Sequence, residues 1–319
     1  MKRIYFLLSF LLVSLKLLAQ QSITNDKYIF NGLYINPAYA GYKEDMYIES
    51  FYKSQWTGFT GAPTSYSLAA DALVPNSKVG LGLVIQGDNI GAQSDLSLYG
   101  NYAYRIRLSD DQNAQLSFGV GLGFVQNGID GTKLNAVDNG DNVVPANFQS
   151  LMLPDSRAGV MYTSDILFAG VSMDNMIAQY FKKASSIYGI APKPMYYVTA
   201  GTMLTFNDDV RFKPSFLIRD QQDGVKNIDL NAYFLLGDRF WLGLTYRTDI
   251  KSTADLSGQS SNAMAAHVEI VVNDKLRLGY AFDYSMGSFG NTNYGSHEIS
   301  IGWYLKSEKK KYALNDRYF

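Results

Sequence analysis

The chain has 319 residues, 47% of them hydrophobic, with 28 Lys and Arg against 29 Asp and Glu, a formal net charge of −1, and no cysteine. The near-neutral balance argues against nucleic acid as a partner. The missing cysteines exclude a disulfide framework, a thiolate metal site and lipid attachment at a lipobox cysteine.

At the start, Lys2 and Arg3 precede an apolar run from Ile4 to Leu18, broken by Ser9, Ser14 and Lys16, and Ala19 places a small residue before Gln20. This reads as a secretory signal peptide over 1–19, cleaved after Ala19; the competing reading, an N-terminal anchor, is short for a spanning helix. Beyond Ala19 no stretch reaches the ~18 consecutive apolar residues of a spanning helix, so a chain entering a membrane does so as strands. Residues 20–45 form a polar periplasmic segment ahead of the first strand.

From there the pattern has period two. In 114–126, Leu116, Phe118, Val120, Leu122 and Phe124 share one parity, and Gln115, Ser117, Gly119, Gly121 and Gly123 the other. Asp95 to Ile106 alternates in the same way. A polar-lined barrel in lipid needs such strands, and the 24 tyrosines suit its interfacial girdles. Strand-length runs fall at 46–56, 64–73, 78–87, 95–107, 114–126, 156–164, 166–173, 195–206, 210–219, 227–236, 240–248, 262–272, 275–285 and 296–305. The expectation is an all-β fold, a transmembrane antiparallel barrel of the outer membrane over 46–305 with about fourteen strands, followed by a tail over 306–319. The even number brings both ends to one side.

Connection lengths support the barrel. Ser164-Asp165, Asn207-Asp208-Asp209, Gly237-Asp238-Arg239 and Asn273-Asp274-Lys275 are tight turns built from residues that tolerate left-handed backbone angles. Each falls at every second junction. Between them lie longer connections, above all Asn127 to Asp155 and Asp174 to Pro194, which would face outward from the cell. Arginine on the lipid face costs ~2–4 kcal/mol near the midplane, so Arg105, Arg157, Arg211, Arg219, Arg247 and Arg277 are expected to face the lumen. Ile228, Leu230, Ala232, Phe234 and Leu236, with Leu242, Leu244 and Tyr246, supply the lipid stripe. A soluble sandwich with that stripe turned inward is the competing fold, but it explains neither the loop alternation nor the strand number.

Few residues suggest chemistry. His267 and Glu269 share parity and form a possible polar pair in the lumen, better read as hydrogen-bonded than as an acid/base site. Ser296 and His297 are adjacent on one strand and point to opposite faces, so they cannot form a dyad. Asp138-Asn139-Gly140-Asp141-Asn142 has oxygen ligands at short spacing but lacks the closing Glu of a calcium loop, which favours a solvated turn. Met173 to Tyr180, followed by Phe181, Lys182 and Lys183, is either a short helix on the barrel rim or an apolar contact for a protein partner. Lys306, Lys309, Lys310 and Lys311 belong to a solvated tail, with lipid headgroup contact as the alternative. No catalytic residue, cofactor site or metal site is assigned.

Ile35-Asn36-Pro37-Ala38-Tyr39-Ala40-Gly41, followed by Gln55-Trp56-Thr57-Gly58-Phe59-Thr60-Gly61-Ala62-Pro63-Thr64, resembles the PorP/SprF family of outer-membrane barrels in the type IX secretion system of the Bacteroidota. Gly80-Leu81-Gly82, Asp88-Asn89-Ile90-Gly91, Tyr102-Ala103-Tyr104-Arg105-Ile106, Gly295-Ser296-His297-Glu298-Ile299 and the terminal Arg317-Tyr318-Phe319 extend the likeness along the mature chain. Physically, Asn36-Pro37 favours a turn, Gly41 permits a bend, and Trp56 ends the first strand at an interface. The motif positions Asn36, Pro37, Ala38, Tyr39, Gly41, Gln55, Trp56, Gly58, Gly61, Pro63, His297 and Glu298 are therefore structural or partner-contacting. The resemblance implies a role in secreting or anchoring a surface protein, such as a gliding adhesin, rather than catalysis. It implies three partners: outer-membrane lipid, a secreted protein with a C-terminal sorting domain, and periplasmic ring or motor components. A general porin or small-solute channel is the first alternative, and a lumenal hydrolase resting on His267 and Glu269 the second. A barrel of this strand number is too narrow for folded cargo, which favours binding through loops or rim. Whether 22–42 plugs the lumen is left open by the sequence.

Overall fold

A computed structural model describes residues 27–109, 114–134, 145–181, 191–222, 226–250, 262–286 and 294–305. The expected signal peptide, the Asp138 to Asn142 turn, Lys182, Lys183, and the tail with its lysines and Arg317 to Phe319 lie outside the described residues.

The strands are β1 (Met46–Ser54), β2 (Thr64–Leu73), β3 (Val79–Ile90), β4 (Gln93–Ser109), β5 (Ala114–Asp130), β6 (Phe148–Thr163), β7 (Leu167–Asp174), β8 (Met195–Thr202), β9 (Leu204–Asn207), β10 (Val210–Gln221), β11 (Lys226–Leu236), β12 (Phe240–Asp249), β13 (Ala263–Val271), β14 (Leu276–Ser285) and β15 (Ser296–Leu305). β8 and β9 both pair with β10 and are two pieces of one strand interrupted at Met203, so fourteen strands span. All pairs are antiparallel neighbours, and β1 pairs with β15 as well as β2, closing the barrel. Closure leaves no sheet edge in lipid, where every backbone group must find an internal partner.

The parity follows the expectation. Phe118, Val120, Leu122 and Phe124 of β5 are exposed on the outside, as are Leu230 and Phe234 of β11 and Leu242 and Leu244 of β12. Arg105 and Arg157 are buried inside, and Arg219, Arg247 and Arg277 reach lumenal carboxylates. Arg211 shares their parity and meets Asp238 at the short-turn end. The short turns are also as expected: Gly237 and Asp238 take φ of 55° and 54°, and Asn273 Oδ1 accepts from Lys275 N and Leu276 N.

Two features differ from the sequence reading. β5 runs on to Asp130 and β6 begins at Phe148, so much of the expected Asn127 to Asp155 loop is a continued hairpin, with Asn127 opposite Leu151 and Ile129 opposite Gln149. Beyond the bilayer neither face meets lipid, so the apolar alternation that marks a spanning strand is lost there. β1 stops at Ser54, two residues short of the expected end, and Trp56 adopts a left-handed φ of 46° in the following loop.

Candidate functional site: a plugged lumen and its outer rim

The segment ahead of β1 folds into three 3-10 turns, Lys27–Ile29, Gly32–Tyr34 and Pro37–Tyr39. Local chemistry sets the last two. Asn31 Oδ1 accepts from Leu33 N at 3.1 Å, and Asn36 Oδ1 accepts from Ala38 N at 2.9 Å. Each Asn thus caps its turn, and Pro37 occupies the first helical position, where its missing N–H is no loss. Leu33, Tyr34, Ala38, Tyr39 and Ala40 are all buried, and their surroundings are the barrel wall. The segment is a plug.

A basic wall residue meets a carbonyl at the end of each turn. Lys213 Nζ donates to Ile29 O at 2.8 Å, Arg157 Nη2 to Leu33 O at 2.9 Å, and Arg105 Nη1 to Gly41 O just past the third turn. Turn ends carry unsatisfied carbonyls and partial negative charge, so cations are the natural partners. Asp71 Oδ2 accepts from Gly41 N at 2.9 Å, and Asn36 Nδ2 donates to Val160 O at 3.1 Å. Wall glycines make the bed. A Cβ on Gly119 would stand 2.1 Å from Ala38 N, and one on Gly80 1.8 Å from Ala40 O. The β11–β12 wall adds an apolar contact: Phe30 packs edge-on against Tyr233 and Trp241, with ring centroids 5.6 and 6.0 Å apart. Nearer the long-loop end, Tyr28 donates to Asp229, which also receives Arg219 at 2.7 Å and Arg247 at 2.9 Å. Below the plug, Lys43 Nζ lies 3.4 Å from the centroid of the Tyr47 ring, and burial together with Arg277 pushes its pKa down to about 8.

The second motif ties three outer connections together at the other end. Gln55 N donates to Pro63 O at 2.8 Å, closing the β1–β2 loop on itself. Thr57 exchanges backbone hydrogen bonds with the β14–β15 connection, donating to Gly295 O at 2.9 Å and accepting from Tyr294 N at 3.0 Å. Gly61 O accepts from Gly91 N of the β3–β4 turn, and Trp56 N donates to Ser296 Oγ. Gly58 has φ of 101°, a left-handed conformation that favours glycine, and lies under the Tyr294 ring.

Residues 17–303 match the sequence model of a family described as "Type IX secretion system membrane protein PorP/SprF". The chain belongs to the PorP/SprF family. No curated protein matches it. Among solved structures it is similar to the CymD monoaromatic hydrocarbon channel, at 14% identity and a TM-score of 0.54 over 87% of this chain and 93% of that one. It is also similar to a Pseudomonas aeruginosa FadL homologue, at 9% identity and a TM-score of 0.50 over 91% and 96%. Likeness at such identities speaks for the fold, an outer-membrane barrel.

In this PorP/SprF protein the remaining candidate residues do not assemble into a reactive centre. His267 is buried in the lumen beside Thr245, its Nε2 3.4 Å from Oγ1, with the Tyr233 ring nearby. Glu269 instead receives Arg277 at 3.2 Å. His297 faces outward, its Nδ1 2.7 Å from the Tyr280 hydroxyl, whereas Glu298 and Ser296 face inward. Among the described residues no group of three or more His, Cys, Asp or Glu side chains is arranged to hold a metal ion. In the Met173 to Tyr180 stretch, Ala178 is buried against the wall, and Asp155 Oδ1 accepts from its N–H and that of Ile177. Tyr180 and Phe181 are exposed. Sequence reasoning missed the wall cations Lys213 and Arg157 as plug ligands. A signal was present: Asn31-Gly-Leu-Tyr34 and Asn36-Pro-Ala-Tyr39 repeat one capped turn five residues apart.

Proposed function

We propose that this protein is a non-conducting component of the type IX secretion system that helps secrete or anchor a surface protein through its loops and rim. The observation that carries this reading is the plug. Between plug and wall, one cavity lined by Ile35, Met161, Phe168 and Lys213 has room of about 30 Å³ for a water-sized guest. On this reading Asn36, Pro37, Ala38, Tyr39 and Gly41 seat the plug, and Gln55 to Pro63 shape the surface that a secreted protein's C-terminal sorting domain meets. The short turns and termini face the periplasmic ring and motor, the signal peptide is removed after Ala19, and no step is enzymatic.

Planar-bilayer recording of the purified protein, paired with cross-linked purification from its host, tests this. The expected result is no stable open conductance, together with recovery of one surface protein or of periplasmic secretion components. A steady open pore, with secretion unchanged after gene deletion, would establish the small-solute channel instead. The fold permits that alternative, but the plug opposes it.

A further inference from the structure

The hairpin that outgrows the barrel leaves a strand edge exposed. β6 pairs with β7 only over Ala158 to Thr163, while on its other side it pairs with β5 from Phe148 to Thr163 at almost every residue. Arg157 still meets Asp174 of β7, and Asp155 and Ser156 meet the residues that follow it, so Phe148 to Pro154 projects past them by roughly 20 Å of strand at ~3.3 Å per residue. Ser156 O accepts from Met176 N, which fixes the even-numbered residues as the ones whose backbone groups point away from β5. Pro154 falls in that even set, so its missing N–H costs no ladder bond. Above it, among the described residues, the N–H and C=O of Phe148, Ser150 and Met152 have no strand beside them.

Exposed edges are ordinarily blunted with charge, above all lysine. This one is not: Pro145 to Pro154 contains no charged residue, and the side chains of Phe148 and Met152 are 48% and 60% exposed. We propose that the edge of β6 over Phe148 to Met152 is a strand-addition site for an uncharged, extended segment of another protein at the cell surface. Three backbone positions at two-residue spacing dictate an extended partner, and the side chains it would lie beside on β6, Phe148, Ser150 and Met152, are all uncharged and offer a charged one no counter-ion. Two copies in one membrane point β6 the same way and cannot pair antiparallel, whereas a separate chain arriving from outside can. The edge stands on the strand register; only the identity of its guest as the secreted protein rests on the function proposed above.

Amide hydrogen exchange on the purified protein in nanodiscs is the first measurement. The N–H groups of Phe148, Ser150 and Met152 should exchange freely while those of Gln149, Leu151 and Leu153 are protected. A photo-reactive residue at position 150, expressed in the host, should then cross-link to one contiguous uncharged segment of a separate protein. That segment, as a synthetic peptide, should slow exchange at the three even positions at least tenfold. Met152→Pro removes an edge N–H without touching the β5 ladder, and the exposed Ser150→Lys adds a charge without threatening the fold; each should cut the adduct at least tenfold. Protection already present in the isolated protein, an adduct within this chain or between two copies, no adduct, or an adduct indifferent to both variants would overturn strand addition. None of these results bears on conductance, whereas an open pore would overturn the proposed function and leave the edge intact.

Discussion

Gly119→Val is the sharpest perturbation of the plug, because it alters neither the plug's own sequence nor any hydrogen-bonding side chain. A β-carbon at Gly119 would lie 2.1 Å from Ala38 N, 2.3 Å from Pro37 C and 2.4 Å from Ala38 Cα, all backbone atoms that no rotamer change can move aside. Regaining the ~3.5 Å separation of non-bonded atoms requires the Pro37–Tyr39 turn to retreat by more than ~1 Å. That retreat also pulls on Asn36, which both caps the turn and donates to Val160 O. Overpacking costs ~1–3 kcal/mol and a buried polar group left unpaired ~1–3 kcal/mol, so seating weakens by a few kcal/mol. At ~1.4 kcal/mol per factor of ten, the unseated fraction rises about a hundredfold. The natural chain has no cysteine, so Leu33→Cys is a clean reporter at a position with 0% exposure. Maleimide labelling of Leu33→Cys should be negligible in the parent and fast with Gly119→Val, and bilayer recordings should gain openings. Gly100→Val is the control, since a Cβ there meets only Leu122 O at 3.9 Å. Equal labelling in parent and Gly119→Val, or equal acceleration by Gly100→Val, would refute the plug-bed geometry.

Leu230→Arg, on the lipid face, should impair membrane insertion by ~2–4 kcal/mol, read as loss of the heat-modifiable band. Asn231→Arg should insert normally yet unseat the plug, because Asn231 bonds Tyr28 and Thr245 in a filled lumen; equal insertion defects would contradict the parity. Asp229→Ala strips the shared carboxylate from Arg219 and Arg247 and should cost ~3–5 kcal/mol in denaturant titration, with a loss under ~1 kcal/mol counting against a buried ion network. Lys43 has its pKa lowered by burial to about 8 from 10.5, so the penalty for burying its charge is complete below pH 8 and fades as pH rises to 10.5. Plug seating should therefore tighten across that window, and Lys43→Met should abolish the trend in plug-dependent conductance; an unchanged trend would exclude Lys43 as its source.

The barrel was legible because lipid imposes a rule on every spanning residue. Outward positions such as Leu122 and Leu230 must be apolar, and cations such as Arg157 and Arg277 must turn inward, so parity, turns and strand number could be read from one sequence. The hairpin tops were not legible for the converse reason. Between Asn127 and Asp155 neither face meets lipid, and a ladder such as Ile129 opposite Gln149 leaves no apolar alternation to find. The same absence of a rule displaced Trp56, whose ring suits an interface in the abstract but whose backbone is fixed by loop contacts that depend on Ser296 and the Tyr294–Gly295 pair, more than two hundred residues away. Of the candidate residues, Ser296 and His297 were set on opposite faces by period two alone, whereas the partner of Glu269 came from the neighbouring strand.

The plug exposes a deeper ambiguity in reading parity. A lumenal stripe of small and polar residues is equally consistent with an open aqueous channel and with a bed for buried backbone, since glycine satisfies either. What separates them is the company kept by the large inward residues. Tyr233, Leu235, Trp241, Leu217 and Phe168 point inward and are buried, an apolar cluster that water would not tolerate and that needs Phe30, Leu33 and Tyr34 to cover it. The basic residues complete the argument, because Arg105, Arg157 and Lys213 each find a plug carbonyl, and an empty lumen would leave all three without it. In this chain the inward aromatics on β11 and β12, together with a capped Asn-x-x-Tyr repeat ahead of the first strand, are thus the sequence features that belong to the plug.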